Sequence, residues 1–510
     1  MLAVGGGIAL HASFPPLRAW PLVMLVPVAW IAALRAAGGE RPFLIGFTLG
    51  VAGYGPMLTW IAAPAGLLAW VLLVVVQAAF VGLASVLVRP WLRSPGWPLL
   101  AALAWTGVDF VRSWVPLNGF EWGALQYAHV DGSWLLPLAR LGGGRAVTFA
   151  TVAVACAFLQ LAIGVVGGRS SASAGTRQRS TMRTTAAPAA VVIAVLVLPL
   201  VVPAAPTPSG ESIDVLVAQG NDLEETELSP RDVDRVIAAN LLGLTREAIG
   251  SGPVPDLVVW PENAFDRDPW AAEGNDLAPI KDEAGALTHG RLLAGVNRVG
   301  PRDRTFENSM VLVGEDGAAA DVYVKQHYVP FGEYVPWRSV LGDFPPLRQV
   351  PRDGVSAPVT DSIHVGEARV AVAICFESLF GRLLRDNIRA GDELANVVVV
   401  STSDSTFGRT GEPEQHLSQS RMRAVESGRW IIHAASSGVT TLIAPDGTVG
   451  ERSQLFTQTT QRHEVPLVEG TTPWLRWGDV LDIPLAIGLA GLAYSVLRRR
   501  RDRSTPVAGG

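Results

Sequence analysis

The sequence predicts an α/β domain inserted into a frame of membrane-spanning helices, on three observations. First, charge is sparse and patchy. Only 17% of the 510 residues are charged, and Pro42 to Val88 holds no charged side chain at all. Second, the charge that exists is segregated. Residues 210–470 carry 39 of the 46 acidic residues but 23 of the 41 basic ones, a net of −16, and the remainder of the chain carries +11. Third, inside the acidic stretch short apolar runs alternate with helical patterns, the mark of an α/β domain. The acidic excess excludes nucleic acid as a partner.

A span of the bilayer core needs about 20 mostly apolar residues. The runs near 2–14 and 19–34 are separated by Phe14-Pro15-Pro16. A cleaved leader is the alternative for the first of them, although it lacks a basic start. The charge-free stretch divides into 42–61 and 66–88, with Gly53-Tyr-Gly-Pro56 and Pro64 as breaks. Further runs begin at Trp97, Arg145 and Pro188, ending near Phe110, Val166 and Val202, and an eighth covers Leu481–Leu497. These runs divide the chain into a membrane part at 1–204 with about seven helices, an extracytoplasmic domain at 205–470, and a last helix with a basic tail at 471–510.

Basic residues orient the frame. With a cytoplasmic N-terminus, Arg35, Arg41, Arg89, Arg93, the Arg-rich loop 169–183 and the tail Arg498–Arg501 with Arg503 all fall inside. Residues 210–470 then lie outside, in a multi-pass protein of the cell membrane. The stretch Gly119–Tyr127, rich in aromatics and glycine, belongs on that outer side, either against lipid headgroups, where Trp and Tyr favour the interface, or as a purely structural belt.

After the Pro-rich linker 203–212, Ile213–Gly220 reads as a half-buried strand and Asp232–Gly250 as a helix. Strands follow at Leu257–Trp260, Arg291–Asn297, Ser309–Gly314, Asp321–Lys325, Ala371–Ile374, Asn396–Ser401 and Trp430–Ala435. Glu315-Asp-Gly317 and Asp446-Gly447 carry the composition of hairpin turns.

Three positions carry chemistry. Cys375 sits where an apolar strand stops, next to Phe376 and Glu377. The other cysteine, Cys156, lies inside an apolar run and reads as a small buried hydrophobe, so no disulfide framework is expected. Glu262 ends the strand Leu257–Trp260 just after Pro261. Lys325 is one of two lysines in a chain that otherwise uses arginine. A cysteine attacks as its thiolate, so it needs a base or a neighbouring cation. A desolvated Glu262 has the raised pKa a base requires. Lys325 can meet the negative charge that builds on a tetrahedral carbonyl oxygen.

The order Glu262, Lys325, Cys375 resembles the Glu-Lys-Cys triad of the nitrilase superfamily. Together with the membrane arms and the motif Val329-Pro-Phe-Gly-Glu-Tyr-Val-Pro336, the chain over residues 20–500 is similar to the apolipoprotein N-acyltransferases. That resemblance implies a four-layer α-β-β-α sandwich for the soluble domain. It implies transfer of a fatty acyl group from a phospholipid, through a thioester on Cys375, to the N-terminal amine of a diacylglyceryl apolipoprotein. It also implies a monomer without cofactor or metal, in which Glu333 and Glu377 hold Lys325 charged and oriented. His416 is expected to be a hydrogen-bonded structural residue, since no second His or Cys stands at ligand spacing.

The sequence departs from the family pattern at Phe376, where Tyr is frequent. Ser403 and Thr406 replace an Asn and an aromatic around Asp404 and Phe407, and residues 221–229 lack a frequent Trp. These departures bear on the substrate cleft rather than on the triad. Two other readings stand beside the transferase: a membrane-tethered amidase acting on a small soluble amide, and an inactive lipid-binding scaffold.

Overall fold

The computed structural model describes residues 1–504 except 39, 170–173, 222–227, 251, 273–274, 343 and 360. The chain forms two compact units, one of residues 1–203 with 477–510 and the other of residues 204–476. The missing Trp expected near residues 221–229 falls almost wholly outside the described residues.

In the first unit helices occupy all eight apolar regions: Leu2–Ala12, Leu25–Ala36, Pro42–Met57, Ala62–Val88, Trp97–Arg112, Ala139–Arg169, Ala174–Val197 and Asp482–Ser504. Among the described residues, two helical stretches, Thr59–Trp91 and Leu136–Val165, are long and apolar enough to cross a membrane by themselves. The first bends at Gly66 and the second at Gly142–Gly143, where the backbone leaves helical geometry. The Arg-rich stretch expected to be a loop is helical from Ala174 onward. No Pro or Gly-Gly pair interrupts 177–187, and the polar residues there carry no penalty large enough to end a helix.

Small residues let these helices pack closely. A side chain on Gly50 would meet the backbone of Ala78, and one on Gly46 the carbonyl of Val81, the close approach that small residues allow in membranes. The loop 119–127 differs from expectation. Glu121 to Tyr127 is buried rather than displayed as an aromatic belt. Polar contacts anchor Glu121 and Trp122. Arg112, itself buried, donates to Gln77 Oε1 and the Trp122 carbonyl, and Arg145 lies 4.0 Å from Glu121.

In the second unit thirteen strands form two sheets among the described residues. Numbered in chain order they are β1 (Ser212–Gln219), β2 (Leu257–Phe265), β3 (Leu292–Val299), β4 (Thr305–Val313), β5 (Ala319–Val324), β6 (Asp353–Gly354), β7 (Ile363–Val365), β8 (Ala368–Ile374), β9 (Val397–Thr402), β10 (Ile431–Ala435), β11 (Thr441–Ile443), β12 (Val449–Arg452) and β13 (Thr459–Pro466). One sheet runs β13-β1-β2-β3-β4-β5 with β6 beside β4, and the other runs β12-β11-β10-β9-β8-β7. The centre of each is parallel: β1, β2 and β3 in the first, β8, β9 and β10 in the second. Both turns read from the sequence, at residues 315–317 and 446–447, join antiparallel pairs.

The period of two along a strand builds four layers. Val215, Val217, Val259, Val370, Val372, Val397 and Val399 face one another in a core between the sheets. Their neighbours Leu216, Val258 and Trp260 pack under helices Pro230–Ile249 and Ala278–Leu287. Ala371, Ala373, Val398 and Val400 pack under Gly381–Ile388 and Glu412–Ser427. Strand β1, expected to be half buried, has five consecutive buried residues. A strand covered by a sheet on one face and a helix on the other has no solvent side, so it shows a continuous apolar run.

Candidate active site

The carboxyl-terminal ends of the parallel strands in the two sheets meet, and the sequence-predicted residues lie there. Glu262 stands near the end of β2, where pairing to β3 shifts register between Trp260 and Phe265. Pro261 cannot donate to a ladder, and Asn263 takes φ +61°. The local break releases the Glu262 side chain from the regular alternation. Gly295 on β3 makes room for it: a Cβ there would lie 2.4 Å from the Pro261 carbonyl oxygen.

Glu262 is buried, and both its oxygens are occupied. Oε1 accepts from Asn308 Nδ2 at 2.7 Å and faces Lys325 Nζ at 3.4 Å, while Oε2 accepts from the Ser403 backbone N–H at 3.0 Å. Its main-chain carbonyl accepts from Ser436 Oγ at 2.7 Å, which ties the end of β2 to the end of β10. Burial pushes the carboxyl of Glu262 above its usual range, against the opposing pull of Lys325.

Lys325 follows β5 and is 1% exposed. Its ammonium donates to Glu333 Oε1 at 2.7 Å. Burial by itself would lower its pKa, but the charges of Glu333 and then Glu262 outweigh burial and hold it well above the ordinary lysine value. The amine is therefore charged. Glu333 is fixed by its own loop, since Oε2 accepts from the Val329 N–H at 2.7 Å.

Cys375 follows β8 and opens a short 3-10 helix, Cys375–Leu379. Its backbone is left-handed, at φ +52°, a conformation that costs a non-glycine residue about 1–3 kcal/mol. Burial, followed by the charge of Glu262, pushes its thiol well above the ordinary value, and Lys325 only partly offsets this. The resting sulfur is thus a thiol, and attack requires a base to take its proton. Phe376 is buried and packs edge-on against Phe380 with ring centres 5.1 Å apart.

Glu377 departs from expectation. It was expected to hold the Lys325 ammonium, but its hydrogen bonds go elsewhere. Oε1 accepts from the N–H groups of Gln326 and His327, at 2.5 and 3.0 Å. Oε2 accepts from the Ile374 N–H at 2.7 Å and from Tyr323 OH at 2.9 Å. Glu377 therefore staples the chain on either side of Lys325 to the residue before Cys375. Burial pushes its carboxyl up to about 7 despite these donors.

Sequence reading missed Asn308, whose amide reaches both Glu262 and Glu333. A buried Asn inside the apolar strand β4 was the available signal. At Ser403 the contact to Glu262 is made by the backbone, so the exchange of Asn for Ser leaves it in place. Asp404 and His416 lie beneath Cys375 rather than in an open cleft. His433, distant in sequence, stands beside them, and the three could offer ligand atoms within 4.8 Å of one another. This removes the spacing argument used above for His416, though both its ring nitrogens already face protein oxygens. A cavity of about 290 Å³ opens on the Glu262 side, lined by Asn263, Asp266, Asn308, Glu333 and Arg352 among others.

Comparison with known proteins agrees with this architecture. Residues 6–157 match the profile of the apolipoprotein N-acyltransferase N-terminal domain, and residues 239–472 that of carbon-nitrogen hydrolase. The apolipoprotein N-acyltransferase of Mycolicibacterium smegmatis is 31% identical, covering 98% of this chain and 85% of that protein. Its counterpart in Azotobacter vinelandii is 31% identical over 99% of this chain and 96% of that protein. The counterpart in Pseudomonas putida is 30% identical over 96% and 94%. By these matches over nearly its whole length, the chain belongs to the apolipoprotein N-acyltransferase family.

Proposed function

We propose that the protein transfers a fatty acyl group from a phospholipid to the N-terminal amine of the S-diacylglyceryl cysteine of apolipoproteins, in two steps through Cys375. The observation that carries this reading is that buried Glu262 and Lys325 lie 3.4 Å apart and both act electrostatically on the Cys375 thiol, in a chain of this family.

In the first step Glu262 takes the Cys375 proton as sulfur attacks the acyl ester carbon. Negative charge collects on the carbonyl oxygen beside the Lys325 ammonium. The ester C–O bond then breaks, the lysophospholipid oxygen takes the proton back from Glu262, and the acyl group remains as a thioester. In the second step the lipoprotein amine attacks the thioester carbon and passes a proton to Glu262. The C–S bond breaks, and the thiol is restored. A thioester persists long enough for a second lipid-anchored substrate to arrive, and amines still cleave it. The expected kinetics are ping-pong.

Both substrates are membrane-anchored, which gives the apolar arms a purpose. Eight spans with residues 205–470 outside the cytosol are the arrangement that the arginine distribution supports. The protein would work as a monomer in the cell membrane. Intact-mass measurement after incubation with phospholipid in detergent tests the reading. Wild type gains one fatty acyl mass and Cys375→Ala gains none. A Cys375→Ala protein that still modifies apolipoprotein would refute it.

A further inference from the structure

The nucleophile is gripped from below by a pair that no step of the proposed chemistry uses. His416 projects from helix Glu412–Ser427, and its Nε2 lies 3.0 Å from the Cys375 carbonyl oxygen. Its Nδ1 lies 3.2 Å from Asp404 Oδ1, at the end of β9. Both side chains are essentially without solvent contact. Thr402 Oγ1 donates to the same Asp404 oxygen at 2.6 Å.

One partner fixes a hydrogen. A carbonyl only accepts, so Nε2 carries a hydrogen. Asp404 is held below its ordinary pKa, because the His416 ring and the Thr402 hydroxyl outweigh the burial that pushes the other way. Asp404 orients the ring from its other edge, with Oδ1 3.2 Å from Nδ1. His433 packs against His416, with rings near perpendicular and centres 5.4 Å apart. Burial holds His433 neutral, its pKa lowered to about 3.

The target of this grip matters. A carbonyl direction is a backbone dihedral, and the carbonyl in question belongs to a residue at φ +52°. Nothing in the cysteine side chain favours that conformation. Left alone, residue 375 would relax toward ordinary backbone angles and draw its sulfur away from Glu262 and Lys325. We propose that His416, oriented by Asp404, is a positioning residue that locks the Cys375 backbone in its left-handed conformation through the Nε2–H to carbonyl hydrogen bond. The proposal rests on the thioester reading above for its rate readout and on geometry alone for the rest.

Three variants test it: His416→Leu, which keeps bulk and loses the donor; His416→Gln, which restores an N–H at similar reach; and Asp404→Asn. Thioester formation on Cys375 is followed by intact mass with dioleoyl phospholipid in detergent micelles. A displacement of about 1 Å at a reacting atom costs on the order of 100-fold. His416→Leu is therefore expected to acylate about 100-fold more slowly, with half-saturation by phospholipid within about two-fold of wild type, and His416→Gln to recover to within about ten-fold. Acylation by His416→Leu at near wild-type rate overturns the proposal. So does a His416→Gln protein that melts like wild type yet acylates no faster than His416→Leu. If His416→Leu fails to fold, Asp404→Asn decides: a slowing of about ten-fold at an unchanged melting temperature supports the grip, and a wild-type rate overturns it. Alkylation of Cys375 by iodoacetamide needs no phospholipid, and it is expected to slow in the same order across the variants. A wild-type protein that takes up no acyl group would sink the thioester reading while leaving the alkylation series to judge His416.

Discussion

Lys325 Nζ lies 2.7 Å from Glu333 Oε1 and 3.4 Å from Glu262 Oε1, so one buried ammonium is shared unequally between two carboxylates. The closer partner fixes the lysine. In the proposed mechanism the farther one accepts the proton of Cys375. Lys325→Arg keeps the charge, but a planar fork cannot occupy the place of a compact ammonium. Its turnover is expected to fall about 100-fold or more, read as lipoprotein acylation in detergent. Near-normal turnover would rule out a role for Lys325 at the carbonyl oxygen.

Glu333→Gln removes the nearer partner and leaves Lys325 facing Glu262 alone. Breaking a buried ion pair from one side costs about 3–5 kcal/mol. A lowered melting temperature is expected together with reduced acylation, because Lys325 is drawn toward Glu262 and neutralises the base. Loss of activity without any loss of thermal stability would contradict this account.

Glu377 provides the pH test. Its folded-state pKa, about 7, is raised above the ordinary glutamate value of 4.5. Between those values the folded chain holds a proton that the unfolded chain has released. This contribution to stability is therefore fully present below about pH 4.5 and is lost as pH rises through about 7. The melting advantage of wild type over Glu377→Gln should shrink over that range. Gln also turns an N–H toward one pair of backbone donors, leaving buried groups unpaired at about 1–3 kcal/mol. The variant should be the less stable protein throughout. An advantage that grows with pH would show that Glu377 is an ordinary ionised carboxylate.

Gly295→Ala tests the break that presents Glu262. The added methyl would meet the Pro261 carbonyl and the Glu262 Cα. Overpacking of this kind typically costs about 1–3 kcal/mol, and here it displaces the base. Acylation should fall by more than the loss of folded protein explains. Cys156→Ala, deep in helix Ala139–Arg169, should leave acylation within about two-fold of wild type, since that cysteine is buried and takes no part in the site.

Much of the site was legible because its parts sit at strand ends, where an apolar run stops on a charged or reactive side chain. Glu262 and Cys375 were visible for that reason, and Lys325 by its rarity. Asn308 and Tyr323 were not read as parts of the site, and Asp404 and His416 were read only as a cleft residue and a structural residue, not as a pair. Their partners lie far off in the sequence, 46 residues away for Asn308 and Glu262, and local pattern says nothing about which segments converge. Glu377 was found, but a position two residues from the nucleophile does not reveal which way the side chain turns, so its hydrogen bonds to the chain on either side of Lys325 could not be read. In the first unit the apolar runs located the helices. The helix from Ala174 extended into the Arg-rich stretch because polar composition disfavours membrane burial without preventing helix formation.

Strands β1 and β13 pair antiparallel along their whole length, with Ser212 opposite Pro466. The polypeptide thus enters and leaves its second unit at neighbouring points. Such a unit resembles a bead clipped onto a thread: its two ends need no long spacer to rejoin. An evolutionary or laboratory splice could remove it, or supply a relative's version, through one short junction on each side, and the loop-closure penalty of that junction would be small.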